Sequence, residues 1–238
     1  GVYADRFVTE QRWLVPLPAG LDPVVAAAGT AVLSDALYAL DDLADLPALD
    51  TSAVVLVLGS STGVGAAAVD VALARGHSVV AATREVDAVT PRSGLTVTTY
   101  EQLSEVVREV SDGRGAAVTV DNVGGTCTGA GLRAAARRGR HVLLGYLAGR
   151  ELPLTVMDLI PTEVALVGMN SGAVPLPRQH ELVGQALELL ARGVHHPAPV
   201  VPRPLEEGAD ALVGDVPRGR TVLLGAAYGC VDVGGAGA

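Results

Sequence analysis

Six short apolar runs recur along the chain at fairly even intervals: Val54 to Leu58, Ser78 to Ala82, Leu95 to Thr98, Ala117 to Asp121, His141 to Gly145 and Val164 to Gly168. Most are continuous instead of alternating in polarity. That is the pattern of strands covered on both faces, as in a parallel sheet between two layers of helices. The stretches between them have helical period. Gly63 to Arg75 places Val64, Ala68, Val71 and Ala72 on one face, and Glu101 to Val110 does the same with Leu103, Val106, Val107 and Val110. Strand and helix therefore alternate from residue 54 to residue 168. This predicts right-handed βαβ crossovers and an α/β fold with a doubly wound parallel sheet of six strands, ordered 3-2-1-4-5-6.

The flanks follow a different pattern. Residues 1–28 hold two strand-like runs, Tyr3 to Val8 and Leu14 to Leu17, and then Asp22, placed to cap a helix that starts at Pro23. Residues 171–238 hold a helix over Arg178 to Arg192, a proline-rich stretch from Pro197 to Pro204, a short helix near Leu205 to Val213 and a strand at Thr221 to Leu224. The small, glycine-rich tail from Gly229 to Ala238 is expected to fray. The chain thus divides into residues 29–170 and a second unit made by both ends, 1–28 with 171–238.

Composition narrows the chemistry. With 49% hydrophobic and 18% charged residues in 238, a core of ordinary size can form. A net charge of -9 argues against general affinity for nucleic acid or anionic membrane. No stretch is expected to reach the apolar length of a membrane span, and no basic-then-apolar leader opens the chain, so a cytoplasmic location is expected. Cys127 and Cys230 lie far apart without a CxxC pattern, which reads as two ordinary thiols with no metal site. All 17 basic residues are Arg. Without Lys there is no P-loop, no pyridoxal Schiff base and no Tyr-Lys pair of a short-chain dehydrogenase. His195-His196 lacks a third metal ligand, and a surface loop is expected there.

The first apolar run opens directly into Gly59-Ser60-Ser61-Thr62-Gly63-Val64-Gly65 and a helix. A turn of such small residues lets the backbone approach a pyrophosphate, whose charge the N–H groups and dipole at the helix N-terminus stabilise. Gly65 is read as the close-packing glycine between helix and strand. The second run ends in Thr83-Arg84-Glu85, about 20 residues beyond the turn, where a dinucleotide fold reads the adenosine ribose. An acid at that tip would bond the 2′-hydroxyl. Arg84 comes first, and its fork of donors matches a 2′-phosphate, which favours NADPH over NADH. The alternative for Arg84 is a plain solvated residue.

Several motifs in order then resemble the medium-chain dehydrogenase/reductase superfamily, in its zinc-independent quinone oxidoreductase, enoyl reductase and acrylyl-CoA reductase branches. They are Tyr3-Ala4-Asp5, Trp13-Leu14-Val15-Pro16-Leu17-Pro18, Gly29-Thr30-Ala31, Gly63-Val64-Gly65, Asp121-Asn122-Val123-Gly124-Gly125, Gly139-Arg140-His141-Val142-Leu143-Leu144-Gly145 and Gly219-Arg220-Thr221-Val222-Leu223-Leu224, with Arg220 where that family usually has Lys. The resemblance implies a Rossmann domain over 29–170 and, at the two chain ends, a remnant of a GroES-like β-rich substrate domain. It implies hydride transfer from NADPH to a small-molecule quinone, enone or enoyl thioester without zinc. By position, Ser60, Ser61, Thr62, Gly63, Val64 and Gly65 would hold the pyrophosphate, Thr83 and Arg84 the adenosine phosphate side, and Asn122, Val123, Gly145 and Tyr146 the ribose and nicotinamide. Ser34, or Asp35 one residue on, falls where the family has a Thr beside the nicotinamide. The proton donor is unassigned, with Ser34 and Tyr146 as candidates. Their alternatives are a hydroxyl capping a helix turn and a ring packed over the cofactor.

Two departures accompany the resemblance. The family carries on the order of 100 residues before the point where this sequence starts, and the connection from Arg84 to Leu95 is short, which would open the adenine side. A nucleotide-binding sensor or structural protein without turnover is the alternative function. The sixth run is apolar, carries no internal charge and should lie at a sheet edge, so a homodimer joined there is expected.

Overall fold

The computed structural model describes residues 4, 8–61, 63–213 and 219–225. Six strands, β1 (Val55–Leu58), β2 (Val79–Ala82), β3 (Leu95–Thr98), β4 (Ala116–Asp121), β5 (Ala135–Leu143) and β6 (Ala165–Gly168), form one parallel sheet in the order β3-β2-β1-β4-β5-β6. This is the doubly wound Rossmann sheet expected from the run pattern. All four residues of β1 and of β2 are buried, which is why these runs are continuous in apolar character.

Strand alternation distributes the apolar side chains between two cores. Val55, Val57, Val79, Ala81, Val118 and Val120 face a core shared with α1 (Pro23–Leu37), α2 (Gly63–Ala74) and α5 (Leu176–Ala191). Leu56, Leu58, Val80 and Ala82 face a second core with Leu103 and Val107 of α3 (Leu103–Val110). Burying each of these Val and Leu side chains contributes roughly 1.5–3 kcal/mol.

The cap at Asp22 is present: its Oδ1 accepts the N–H of Val24 at 2.8 Å, with Pro23 in the first turn. Beyond Leu37 the helix continues as a π-helical segment, Tyr38–Leu43. Together, Pro23–Leu43 make 21 residues apolar enough to span a membrane by length and composition, contrary to the expectation that no stretch would reach that length. Its buried residues Val32, Leu33, Ala36, Leu37 and Leu40 pack in the core shared with α2 and α5. The apolar character of this helix thus has a use within the fold.

Other differences have local causes. Helix α4 (Thr126–Arg133) has no clear apolar period because it carries Gly129 and Gly131. A Cβ on Gly131 would lie 2.7 Å from Cε1 of His141, so the glycine lets the helix approach β5. Strand β5 begins six residues earlier than its apolar run, through exposed Arg137 and Arg138, and a register irregularity at Ala116/Val118 accommodates the extension. The proline-rich stretch is partly a strand: β7 (Val200–Pro204) pairs in parallel with β8 (Arg220–Leu224). Leu14 to Leu17 is irregular and not a strand. Most of Tyr3 to Val8 and the whole tail lie outside the described residues.

Candidate cofactor site

Every feature of the site lies at the carboxyl ends of the parallel strands, where open α/β sheets receive ligands. At the end of β1 the chain turns through Gly59, which has a φ of 77°. Helix α2 then starts at Gly63, with φ 61°. A Cβ on Gly65 would sit 2.1 Å from the carbonyl oxygen of Gly59, so only glycine lets α2 start this close to the strand, as the sequence suggested. Among the described residues, apart from its chain neighbours and the helix's own backbone, the nearest atom to a Cβ built at Gly63 is Nη2 of Arg220, at 4.0 Å. An open cradle at the N-terminus of a 12-residue helix suits a pyrophosphate.

A cleft of about 430 Å³ brings together Ser61, Gly63, Val64, Thr83, Arg84, Asn122 and Val123 from three separate segments, with Tyr100 and Cys127 on its wall. A second cleft of about 830 Å³ shares Ser61, Thr83 and Arg84, adds Ser60, and runs on past Val89 and Arg92 toward His196. Thr83 is buried, and its hydroxyl accepts the N–H of Glu85 at 3.2 Å. Arg84 is exposed and makes no ion pair among the described residues. Burial pushes the Cys127 thiol above its ordinary value, in keeping with an inert thiol. Thr62 and Cys230 lie outside the described residues.

Gly145, just beyond β5, lines neither cleft and packs against the turn after β4. Its Cβ would lie 1.7 Å from the carbonyl oxygen of Asn122, so the β4 and β5 turns touch backbone to backbone. Tyr146 lines neither cleft: it is 66% exposed, and the Arg150 guanidinium stands 5.6 Å from its ring. Ser34 and Asp35 are also elsewhere. They line a separate, mainly apolar cavity of about 890 Å³ between the Trp13 to Leu17 segment, α1 and α5. The Ser34 hydroxyl is buried there without a partner among the described residues, and burial raises the Asp35 carboxyl against a hydrogen bond from Ser171.

Two buried polar clusters escaped the sequence reading. Asp121 is fully buried at the end of β4. Its Oδ1 accepts the N–H groups of Val123 and Gly124, both at 2.9 Å, and its Oδ2 accepts the Thr128 hydroxyl at 2.7 Å and lies 3.0 Å from His141 Nε2. Burial alone would raise this carboxyl. The hydrogen bonds from His141, Gly124 and Thr128 outweigh that and hold it below its ordinary value. The second cluster corrects the surface-loop reading of His195. That residue is 3% exposed, and its Nδ1 lies 2.6 Å from Oδ2 of Asp70, which also pairs with Arg92. The segment after α5 folds back over α2, which sequence spacing does not show. His196 is exposed. Among the described residues, no group of three or more His, Cys, Asp or Glu side chains could hold a metal.

Residues 63–192 match the family model for zinc-binding dehydrogenases. Acrylyl-CoA reductase AcuI of Ruegeria pomeroyi is 31% identical over 234 residues, 94% of this chain and 69% of that protein. The chain belongs to the medium-chain dehydrogenase/reductase superfamily. It is accordingly an oxidoreductase of that superfamily, whose Rossmann cleft takes a nicotinamide dinucleotide. Solved structures agree in fold. A mycobacterial quinone oxidoreductase aligns with a TM-score of 0.74 at 23% identity, over 88% of this chain and 67% of that one. Mycobacterial Rv1454c complexed with NADPH aligns with a TM-score of 0.69 at 23% identity, over 87% and 68%. About a third of each of these three relatives thus has no counterpart in the chain.

Proposed function

We propose that this medium-chain dehydrogenase/reductase binds NADPH in the cleft beside Gly63 and serves zinc-independent reduction of a quinone, enone or enoyl thioester. The observation that carries the proposal is the convergence of Ser61, Gly63, Val64, Thr83, Arg84, Asn122 and Val123 on one cleft. The family resemblance assigns these residues, which come from three separated segments, to one dinucleotide. The 31% identity to an acrylyl-CoA reductase over nearly the whole chain supports an enoyl thioester as acceptor class.

The residues present fit the cofactor. The space over Gly63 admits a phosphate to the N–H groups of α2, and Arg84, exposed at the tip of β2, offers a fork of donors to a 2′-phosphate. Asn122 and Val123 line the cleft where the nicotinamide half would lie, and Gly145, packed on the Asn122 carbonyl, would back them. When bound, the nicotinamide supplies hydride; the protein's share is to hold it, orient it and exclude water. Residues 1–28 and 171–238 contribute to the substrate domain in this reading.

The cofactor assignment is tested at Arg84. Arg84→Glu should weaken NADPH about tenfold or more, the worth of a charge-assisted pair replaced by repulsion, and leave NADH within about twofold. Calorimetric titration of both cofactors measures this. Equal small effects on the two would remove the basis for NADPH.

A homodimer joined through β6 belongs to the same proposal. Strand β6 pairs only with β5 among the described residues, Ala165 and Gly168 are exposed, and Val156, Met157 and Ile160 stand exposed in the segment leading to it. Sedimentation at micromolar concentration should show a dimer that Leu166→Lys dissociates. A monomer at every concentration, unaffected by the substitution, would defeat the dimer.

A further inference from the structure

We infer that the buried Asp121–His141 pair is a positioning device for the nicotinamide half of the cofactor, acting through the turn Asn122 to Gly124. Both side chains are 0% exposed and lie on neighbouring strands of the sheet. One carboxylate oxygen, Oδ1, is occupied by the turn through the N–H groups of Val123 and Gly124. The other, Oδ2, is anchored to α4 by the Thr128 hydroxyl and to β5 by His141 Nε2. The backbone oxygen of Asp121 also accepts the N–H groups of Leu144 and Gly145, at 3.0 and 3.1 Å. A single residue therefore ties both turns of the nicotinamide end to the frame of the sheet.

His141 makes the arrangement directional. Its Nδ1 is buried without a hydrogen-bond partner among the described residues, so the proton belongs on Nε2, which donates to the carboxylate. An apolar residue would fill this interior position at no such cost, since a buried polar atom without a partner is destabilising. Gly131 gives up its side chain so that the ring fits, the contact described for α4. The arrangement makes sense if the return is an oriented carboxylate. Asn122 completes the link by donating from Nδ2 to the carbonyl of Leu58 at 3.4 Å, which registers the turn against the end of β1 and the phosphate cradle.

The inference rests on the proposed cofactor reading, and its test separates the two. His141→Met keeps the volume and removes the donor; His141→Gln restores an amide donor. Each is titrated with NADPH and with ADP, which probes only the adenosine and phosphate end. The Met variant should bind NADPH about tenfold more weakly, the scale of one hydrogen bond to a charged group, with ADP affinity unchanged. The Gln variant should recover most of the loss. If the Met variant does not fold, Thr128→Val removes the other donor to the same oxygen and should shift NADPH alone in the same direction. Unchanged NADPH binding, or equal losses for NADPH and ADP, would overturn the positioning role. A wild-type protein that binds neither ligand would sink the cofactor reading itself, and this inference with it.

Discussion

Gly63→Val should abolish NADPH binding while the sheet stays folded. The turn holds Gly63 at φ 61°, a left-handed conformation that a β-branched residue adopts at a cost of about 1–3 kcal/mol. Beyond the neighbouring residues and the helix's own backbone, the nearest described atom to the added Cβ is Arg220 Nη2 at 4.0 Å, so the new side chain meets little of the rest of the protein. It occupies the space over the first turn of α2 instead, where the pyrophosphate would meet the backbone N–H groups. The strain lowers stability modestly, and the obstruction removes the phosphate site. Calorimetry should show no saturable NADPH binding, while circular dichroism keeps the α/β signature. Binding within a few-fold of wild type would place the phosphate cradle elsewhere.

Asp121→Ala should be the most destabilising single change at the site, at about 3 kcal/mol or more. Four donors lose their acceptor together: the N–H groups of Val123 and Gly124, the Thr128 hydroxyl and His141. Each is left buried or nearly so, and a buried donor without a partner costs about 1–3 kcal/mol, although such costs do not simply add. Against a net stability of about 5–15 kcal/mol for a typical domain this is a large fraction. Urea unfolding measures it as a lower midpoint, and a loss under about 1 kcal/mol would show that the turns hold without the carboxylate.

The same residue gives a pH dependence of known sign. The folded carboxyl is held below its ordinary value, about 3.9 in an unfolded chain. Ionisation therefore favours the folded state. The contribution is fully present above that unfolded value and is lost as the pH falls through the lower folded one. Asp121→Ala should flatten this part of the acid limb relative to wild type.

The strands and the phosphate turn were legible because their signals are local. A run buried on both faces is apolar at every position, and a turn that admits phosphate is small at every position. Seven of the residues named from that logic and from the family resemblance line the same cleft. Helix α4 was not legible, since the glycine that allows it to pack against His141 also removes its apolar period. The burial of His195 depends on Asp70, 125 residues earlier, and no spacing rule joins them. Asp121 was visible only as the end of the fourth apolar run and the first letter of a turn motif. Its function depends on His141 twenty residues on and Thr128 seven residues on, partners that only the β4–β5 pairing and α4 bring within reach. Tyr146 and Ser34 were placed by resemblance alone, and neither lines the cleft.

The reductase assignment is tested most directly by following NADPH over time with this protein and three acceptor classes: quinones, enones and enoyl thioesters. Steady, enzyme-dependent loss of NADPH with at least one class, abolished by Gly63→Val, is the expected result. NADPH that binds but stays reduced with all three classes would contradict it and assign the chain to cofactor sensing without turnover.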